Sequence, residues 1–242
     1  MSNLPAFYRR NHLVRHNECG TNGNMKLQPV LDCLQNIAAE HAELLGCGME
    51  DLVVKKRIWV LSRLRLRILR FPALKEELEL LTYPSGHDRL MAFRQYCISC
   101  GGTDLIQASS AWVMLDGTTY RPLPMEKVFA EPLPENKDKP VFFEKFERFP
   151  AAEETSAHSF TVGAADIDLN RHLNNAVYAR FVENVLNDLS CNAQQRIAEI
   201  QINFQHAGQL GETIGCSGTL TGKEFFVSGG KHFCAGGILD QE

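Results

Sequence analysis

Asp168, Asn170 and His172 stand at alternate positions in the run Asp168-Leu169-Asn170-Arg171-His172-Leu173-Asn174-Asn175, and an amphipathic helical pattern begins directly after it. In an extended segment, residues two apart share a side and lie about 6–7 Å from one another. Asp168, Asn170 and His172 are then expected to project one way, and Ile167, Leu169 and Leu173 the other. A carboxylate and an imidazole can each take a proton from water near neutral pH, and an amide between them can hold a carbonyl oxygen. The unpaired N–H groups at the start of the following helix suit a developing oxyanion. Each residue also has a plainer reading. Asp168 can serve a turn, Asn174 or Asn175 can cap the helix, and His172 can bond to backbone. The alternation of all three favours chemistry.

The elements around this run occur twice. Each half opens with a short alternating segment, Tyr8–His16 and His158–Gly163, followed by a polar loop and an amphipathic helix. The first helix is expected from about Pro29 to Leu45, with Val30, Leu34, Ile37, His41 and Leu44 at helical spacing. The second is expected from about Asn174 to Leu189, burying Val177, Phe181, Val182, Val185, Leu186 and Leu189. Gln35-Asn36 matches Glu183-Asn184, Asn22 matches Asn170, and Glu76 matches Glu212. Strands follow, with Leu64, Leu66 and Ile68 alternating as Ile200, Ile202 and Phe204 do. Hairpins turn at Gly101-Gly102 and Gly229-Gly230. One helix and several antiparallel strands, twice over, predict an α+β architecture whose two curved sheets can join edge to edge. Gly20, Asn22 and Asn24 occupy the first-copy positions of Asp168, Asn170 and His172, so acid and base occur in the second copy alone.

Composition narrows the class. A net charge of −4 and a pI near 6.1 give no global reason to expect nucleic-acid binding. No apolar run approaches the roughly 18–20 residues of a membrane span. Met1 to Arg15 lacks the apolar core and cleavage site of a signal peptide, and a cytoplasmic setting is expected. Cys33, Cys97, Cys191 and Cys234 fall within segments that read as helix or strand, where cysteine acts as a small buried hydrophobe. Cys97-x-x-Cys100 lacks the second pair of a zinc site. Gly218 to Lys223 is one residue too short for a phosphate loop, and a strand follows it rather than a helix. Six of the ten prolines lie between Arg121 and Pro150, the composition of a semi-extended linker.

The chain resembles the acyl-acyl-carrier-protein thioesterases, enzymes built from two hotdog units. The resemblance runs through Asn17-Glu-Cys-Gly-Thr-Asn-Gly23, Leu34-Gln-Asn-Ile-Ala-Ala-Glu-His41, Trp59-Val-Leu-Ser-Arg63 and Ala108-Ser-Ser-Ala-Trp112-Val-Met-Leu-Asp116. Its most specific part is Asp168-x-Asn170-x-His172-x-Asn174-Asn175-x-x-Tyr178. It implies tandem hotdog repeats, each a long helix wrapped by a curved antiparallel sheet. Residues 1–130 would form an N-terminal hotdog holding the acyl-chain pocket, with Leu34, Ala38 and Trp59 as candidate lining. Residues 131–150 would be the Pro-rich linker, and 151–242 a C-terminal hotdog carrying the catalytic Asp168, Asn170 and His172. The implied activity is hydrolysis of fatty acyl-acyl carrier protein to free fatty acid, without metal or cofactor. The alternatives are an acyl-coenzyme A thioesterase of the same fold, or a non-catalytic acyl-binding module.

One departure bears on mechanism. The family's glutamate in the next strand falls at Ala207, and the cysteine that some members carry one residue later falls at Gly208. Asp168 or His172 would then act as base alone, or His206 or Glu183 would compensate. Arg63, Arg65 and Arg67 alternate with Leu64, Leu66 and Ile68, so one strand face is cationic and is expected to attract an acidic carrier protein. The expected partner is that carrier protein, with no nucleic acid or membrane, and the assembly a monomer or homodimer.

Overall fold

The computed structural model describes residues 4–128, 133–134, 136–149, 158–189 and 195–241. Its first half comprises β1 (Tyr8–Leu13), α1 (Leu27–Leu44), α2 (Met49–Val54), β2 (Arg57–Ile68), β3 (Glu77–His87), β4 (Met91–Cys100) and β5 (Thr103–Asp116). The second half comprises β6 (His158–Thr161), α3 (Asn175–Leu189), β7 (Gln195–Phe204), β8 (Thr213–Thr221), β9 (Glu224–Ser228) and β10 (Phe233–Gln241). All ten strands form one sheet in the order β1-β3-β4-β5-β2-β7-β10-β9-β8-β6. Each half therefore has the same connectivity, and the two meet edge to edge where Arg63–Arg67 pair antiparallel with Asn203–Glu199. This is the tandem hotdog arrangement, each sheet wrapped around its own helix.

The alternation that marks the strands decides which face is buried. Leu64, Leu66, Ile68, Ile200 and Ile202 are buried in one core cluster with Leu31, Leu34 and Ile37 of α1 and Phe181, Val182 and Val185 of α3. Burying such side chains yields about 1.5–3 kcal/mol each, which holds both helices to the sheet. Leu34 and Ala38 lie within this core, while Trp59 packs in a separate small cluster with Met114 and Met125.

Duplication extends to single hydrogen bonds. Arg15 N–H donates to Glu18 (2.7 Å) as Gly163 N–H donates to Asp166 (3.0 Å). Lys26 N–H reaches Glu18 O as Asn174 N–H reaches Asp166 O, both at 2.9 Å. Glu76 accepts from Ala73 N–H (2.8 Å) as Glu212 accepts from Gln209 N–H (3.0 Å). Helix α1 begins at Leu27, before the expected Pro29, because the Glu183 carboxylate accepts the Leu27 N–H at 2.8 Å from across the core. The Gly101-Gly102 hairpin has φ of +56° and +80°, the two-residue turn that only small or amide side chains enter readily. Seven cysteines are free thiols in the structure, and Cys191 lies outside the described residues.

Within the Pro-rich linker, the described residues 136–149 form a strap. Residues 136–149 cross the outer face of the sheet, and their backbone is satisfied by outward side chains. Phe142 N–H donates to Gln95 (3.1 Å), Phe143 N–H to Ser109 (3.0 Å) and Glu147 N–H to Gln201 (2.8 Å). Gln201 and Asn203 amides return bonds to Glu147 O. The strap crosses the strand face expected to attract a carrier protein. Arg65 bonds Glu199 at 2.5 Å and Glu147 at 3.4 Å, and stacks over Phe143 at 4.7 Å. Arg67 stands 5.0 Å from the same ring, and Arg70 pairs with Glu76. Arg65 ties the two halves and the strap together, while Arg67 lies against the strap and remains exposed, so the strap takes up part of the face expected to attract a carrier protein.

Candidate active site

The loop before α3 does not stay extended. Ile167 and Leu173 bridge antiparallel to each other, and the residues between them fold into a tight turn in which Arg171 takes φ +63°. Asp168 makes the turn. Its Oδ1 accepts N–H from Asn170 (2.8 Å) and from His172 (3.4 Å), and its Oδ2 lies 3.4 Å from the Asn170 amide. Short carboxylates capture the backbone two residues on in this way. The expected division into a polar and an apolar side therefore fails. Leu169 is 84% exposed at the turn's tip, while Leu173 is 2% exposed and anchors the turn in the core. Asp168 and His172 are half-buried and Asn170 is exposed, three side chains gathered on one tight turn.

Asn174 caps α3: its Oδ1 accepts the Ala176 N–H at 3.0 Å and the Gln35 amide of α1 at 2.8 Å. Such caps contribute about 1 kcal/mol. The imidazole of His172 has no hydrogen-bond partner among the described residues, which leaves both ring nitrogens available. Asp168 Oδ1 is committed to the turn.

Position 207 lies beside this turn. Leu173 N–H donates to Gly208 O at 2.9 Å, and a Cβ added at Gly208 would stand 3.0 Å from Leu173 Cδ2, so a larger residue there has little room. Tyr178 fixes the strand end, donating to His206 O (3.3 Å) and accepting from Gly208 N–H (3.1 Å). Burial pushes the Tyr178 hydroxyl up to about 12, so it remains a protonated donor. His232 adds a second clamp through His206 O (3.1 Å) and Glu212 (3.2 Å). The two residues considered as substitutes for the missing glutamate are engaged elsewhere: the His206 ring bonds Lys231 O at 2.9 Å, and Glu183 holds the start of α1. Sequence reading placed Tyr178 in the motif without its role and missed Gln35 as a partner of Asn174. A long-range contact between matched helices leaves no local signal.

A cavity of about 350 Å3 opens next to the start of α1, lined from both copies by residues that include His12, Glu18, Asp32, Arg180 and Glu183. Asp168, Asn170 and His172 do not line it. Burial raises Glu183 and Asp32 above the usual carboxylate range.

The chain matches the acyl-ACP thioesterase N-terminal domain over residues 5–133 and the C-terminal domain over residues 150–228. It belongs to the acyl-ACP thioesterase family. A palmitoyl-acyl carrier protein thioesterase of Cuphea hookeriana is 27% identical over 190 residues, 72% of this chain and 46% of that protein. An oleoyl-acyl carrier protein thioesterase of Coriandrum sativum is 25% identical over 198 residues, 72% of this chain and 52% of that protein. The chain thus spans about half the length of the curated relatives it matches. Among solved structures, an acyl-ACP thioesterase of Bacteroides thetaiotaomicron superposes with a TM-score of 0.81 at 22% identity, covering 99% of this chain and 100% of that one. A 12:0-ACP thioesterase of Umbellularia californica superposes at 0.79 with 17% identity, covering 98% of both chains. These likenesses establish the double-hotdog fold.

Proposed function

We propose that this chain hydrolyses fatty acyl-acyl carrier protein to free fatty acid, with Asp168, Asn170 and His172 as its catalytic residues. The supporting observation is a turn carrying acid, amide and an imidazole without a hydrogen-bond partner among the described residues, at the capped start of α3, in a member of the acyl-ACP thioesterase family. His172 takes a proton from water as the oxygen adds to the thioester carbonyl carbon. Asn170 holds the resulting oxyanion through its side-chain amide. Collapse breaks the carbon–sulfur bond, and the imidazolium returns its proton to the departing thiolate. Asp168 keeps Asn170 and His172 in register by holding their backbone N–H groups. The reaction calls for no metal or cofactor, since a thiolate leaves readily. Acyl carrier protein, rather than coenzyme A, is the proposed thiol carrier. The free thiols of the described residues fit a reducing compartment, proposed to be the cytoplasm.

Thiol release from acyl-acyl carrier protein, run beside the matched acyl-coenzyme A, tests the reading. His172→Ala is expected to lower turnover about 10²-fold, the order expected for a lost general base. Asn24→Ala, at the equivalent first-copy position, is expected to leave it unchanged. Stoichiometric acyl binding without release would favour the non-catalytic module, a reading that Ala207 supports.

A further inference from the structure

In the second copy Phe160 of β6 and Phe181 of α3 stack with ring centroids 4.4 Å apart and fill the space between strand and helix. The equivalent first-copy residues are His12 of β1 and Cys33 of α1. An imidazole and a thiol occupy less volume than two phenyl rings, and both line the cavity that opens there. Its interior is polar. His12 Nε2 lies 3.1 Å from the Glu18 carboxylate, and its Nδ1 has no partner among the described residues. Asp32 is half-buried in the cavity wall. Glu183 is the most telling residue. Its counterpart Gln35 spans from helix to helix start with a neutral amide, donating to the Asn174 side chain where Glu183 accepts the Leu27 N–H, a bond that an amide oxygen could also accept. Burial holds the Cys33 thiol up at about 12, which removes it as a nucleophile. Three exposed cations, Arg10, Lys26 and Arg180, line the cavity as well, Arg10 paired with Glu40 and Arg180 with Asp166.

The geometry points to this cavity as the site that receives the phosphopantetheine arm of the substrate, an inference that rests on the proposed function. The arm carries a phosphate at one end, then a hydroxyl and two amides, then the thioester sulfur. Its phosphate meets these exposed cations, and its hydroxyl and amides meet the mixed donors and acceptors of the walls. A hydrocarbon chain would instead set methylenes against His12, Glu18, Asp32 and Glu183, and could not satisfy the donors and acceptors that remain after their own contacts, at a cost of about 1–3 kcal/mol for each such group left dry. The volume falls within the range of small-molecule sites, about 300–1,000 Å3. The cavity also borders the proposed catalytic turn: Arg180, in its lining, bonds Asp166 at 2.8 Å, two residues before Asp168.

Rebuilding the second copy's ring stack tests this. The double variant His12→Phe/Cys33→Phe fills the cavity with a pair that the duplicated frame already accommodates, and thermal unfolding checks that it folds. Titration calorimetry with 4′-phosphopantetheine should show saturable binding to the wild type and at least about tenfold weaker binding to the variant. KM for acyl-acyl carrier protein should rise about tenfold while kcat changes less, the pattern of lost binding rather than lost chemistry. Glu183→Gln, which preserves the contact with Leu27, should weaken the same titration and gives a readout should the double variant misfold. Absence of wild-type binding, or an unaltered titration and KM in the folded variants, overturns the inference. A wild type that binds the arm yet hydrolyses nothing would sink the proposed function alone.

Discussion

The two copies share a backbone but fill it differently. Around α3, the rings of Phe160, Tyr178, Phe181, Phe204 and Phe233 contact one another with centroids 4.4–6.5 Å apart. The equivalents of the first four around α1 are His12, Val30, Cys33 and Ile68. There the interior turns polar instead. Arg94, buried among uncharged partners, donates to His41 (3.0 Å) and Thr82 (3.2 Å), while Tyr96 and Trp112 share the Ser110 hydroxyl at 3.1 and 2.7 Å. Interlocked rings make a stiff base for the catalytic turn, and Tyr178 belongs both to that base and to the clamp on position 208. The first copy, freed of that duty, keeps a cavity and buried polar groups. Duplication has left one interior packed with rings and the other with a cavity.

The largest expected effect breaks the stiff side of this comparison. Phe181→Ala removes a fully buried ring that touches three others and should cost about 3–5 kcal/mol. Cys33→Ala, at the matched first-copy position, sits beside an existing cavity and should cost less than about 1.5 kcal/mol. Urea unfolding of both variants reads the difference. Equal losses would mean that the two interiors are packed alike, contrary to the contrast drawn from the rings.

A pH experiment sharpens the polar side. The Nδ1 of His41 accepts from Arg94 and its Nε2 donates to Pro5 O, which fixes a neutral ring. Burial first, and the Arg94 charge second, press its pKa down from 6.5 to about 4. The unfolded chain therefore takes up this proton at higher pH than the folded one. Stability from the neutral ring is complete above about pH 6.5 and drains away as pH falls toward 4, by roughly 2–3 kcal/mol. His41→Gln should flatten that slope in urea midpoints measured between pH 7 and pH 4. An undiminished slope in the variant would assign the acid sensitivity to other groups.

Much of the scaffold could be read from residue order, because its causes are local and repeated. Apolar spacing marks α1 and α3, alternation marks β2 and β7, and paired glycines mark the hairpins. Even the edge-to-edge junction follows from matching halves. Short α2 escaped because its six residues carry only one buried side chain, Leu52. The strap escaped because its bonds join Phe142, Phe143 and Glu147 to side chains far away in sequence. The Asp168–Asn175 run was singled out by residue type and misread in shape. Asp-x-Asn followed by a residue able to take positive φ encodes a side-chain-held turn as readily as a strand. The cavity is legible only by comparing copies, since it arises from the bulk that His12 and Cys33 lack.

The smallest effect concerns the catalytic turn itself. Ala207 is exposed in the loop after β7, which Tyr178 and His232 hold through His206 O, with Gly208 packed against Leu173. A carboxylate introduced there would stand on a fixed backbone beside the turn bearing His172. With His172 already available as a base, a second one should add to turnover rather than create it. Ala207→Glu is expected to raise kcat about tenfold with little change in KM, below the roughly hundredfold of a fully supported base because no hydrogen bonds exist to orient it. Burst-free thiol release at saturating acyl-acyl carrier protein gives the comparison directly. A flat result would show that the imidazole suffices and that the second copy's rigid base, rather than a second acid, governs the rate. A gain far above tenfold would instead identify the missing carboxylate as the limiting part of the site.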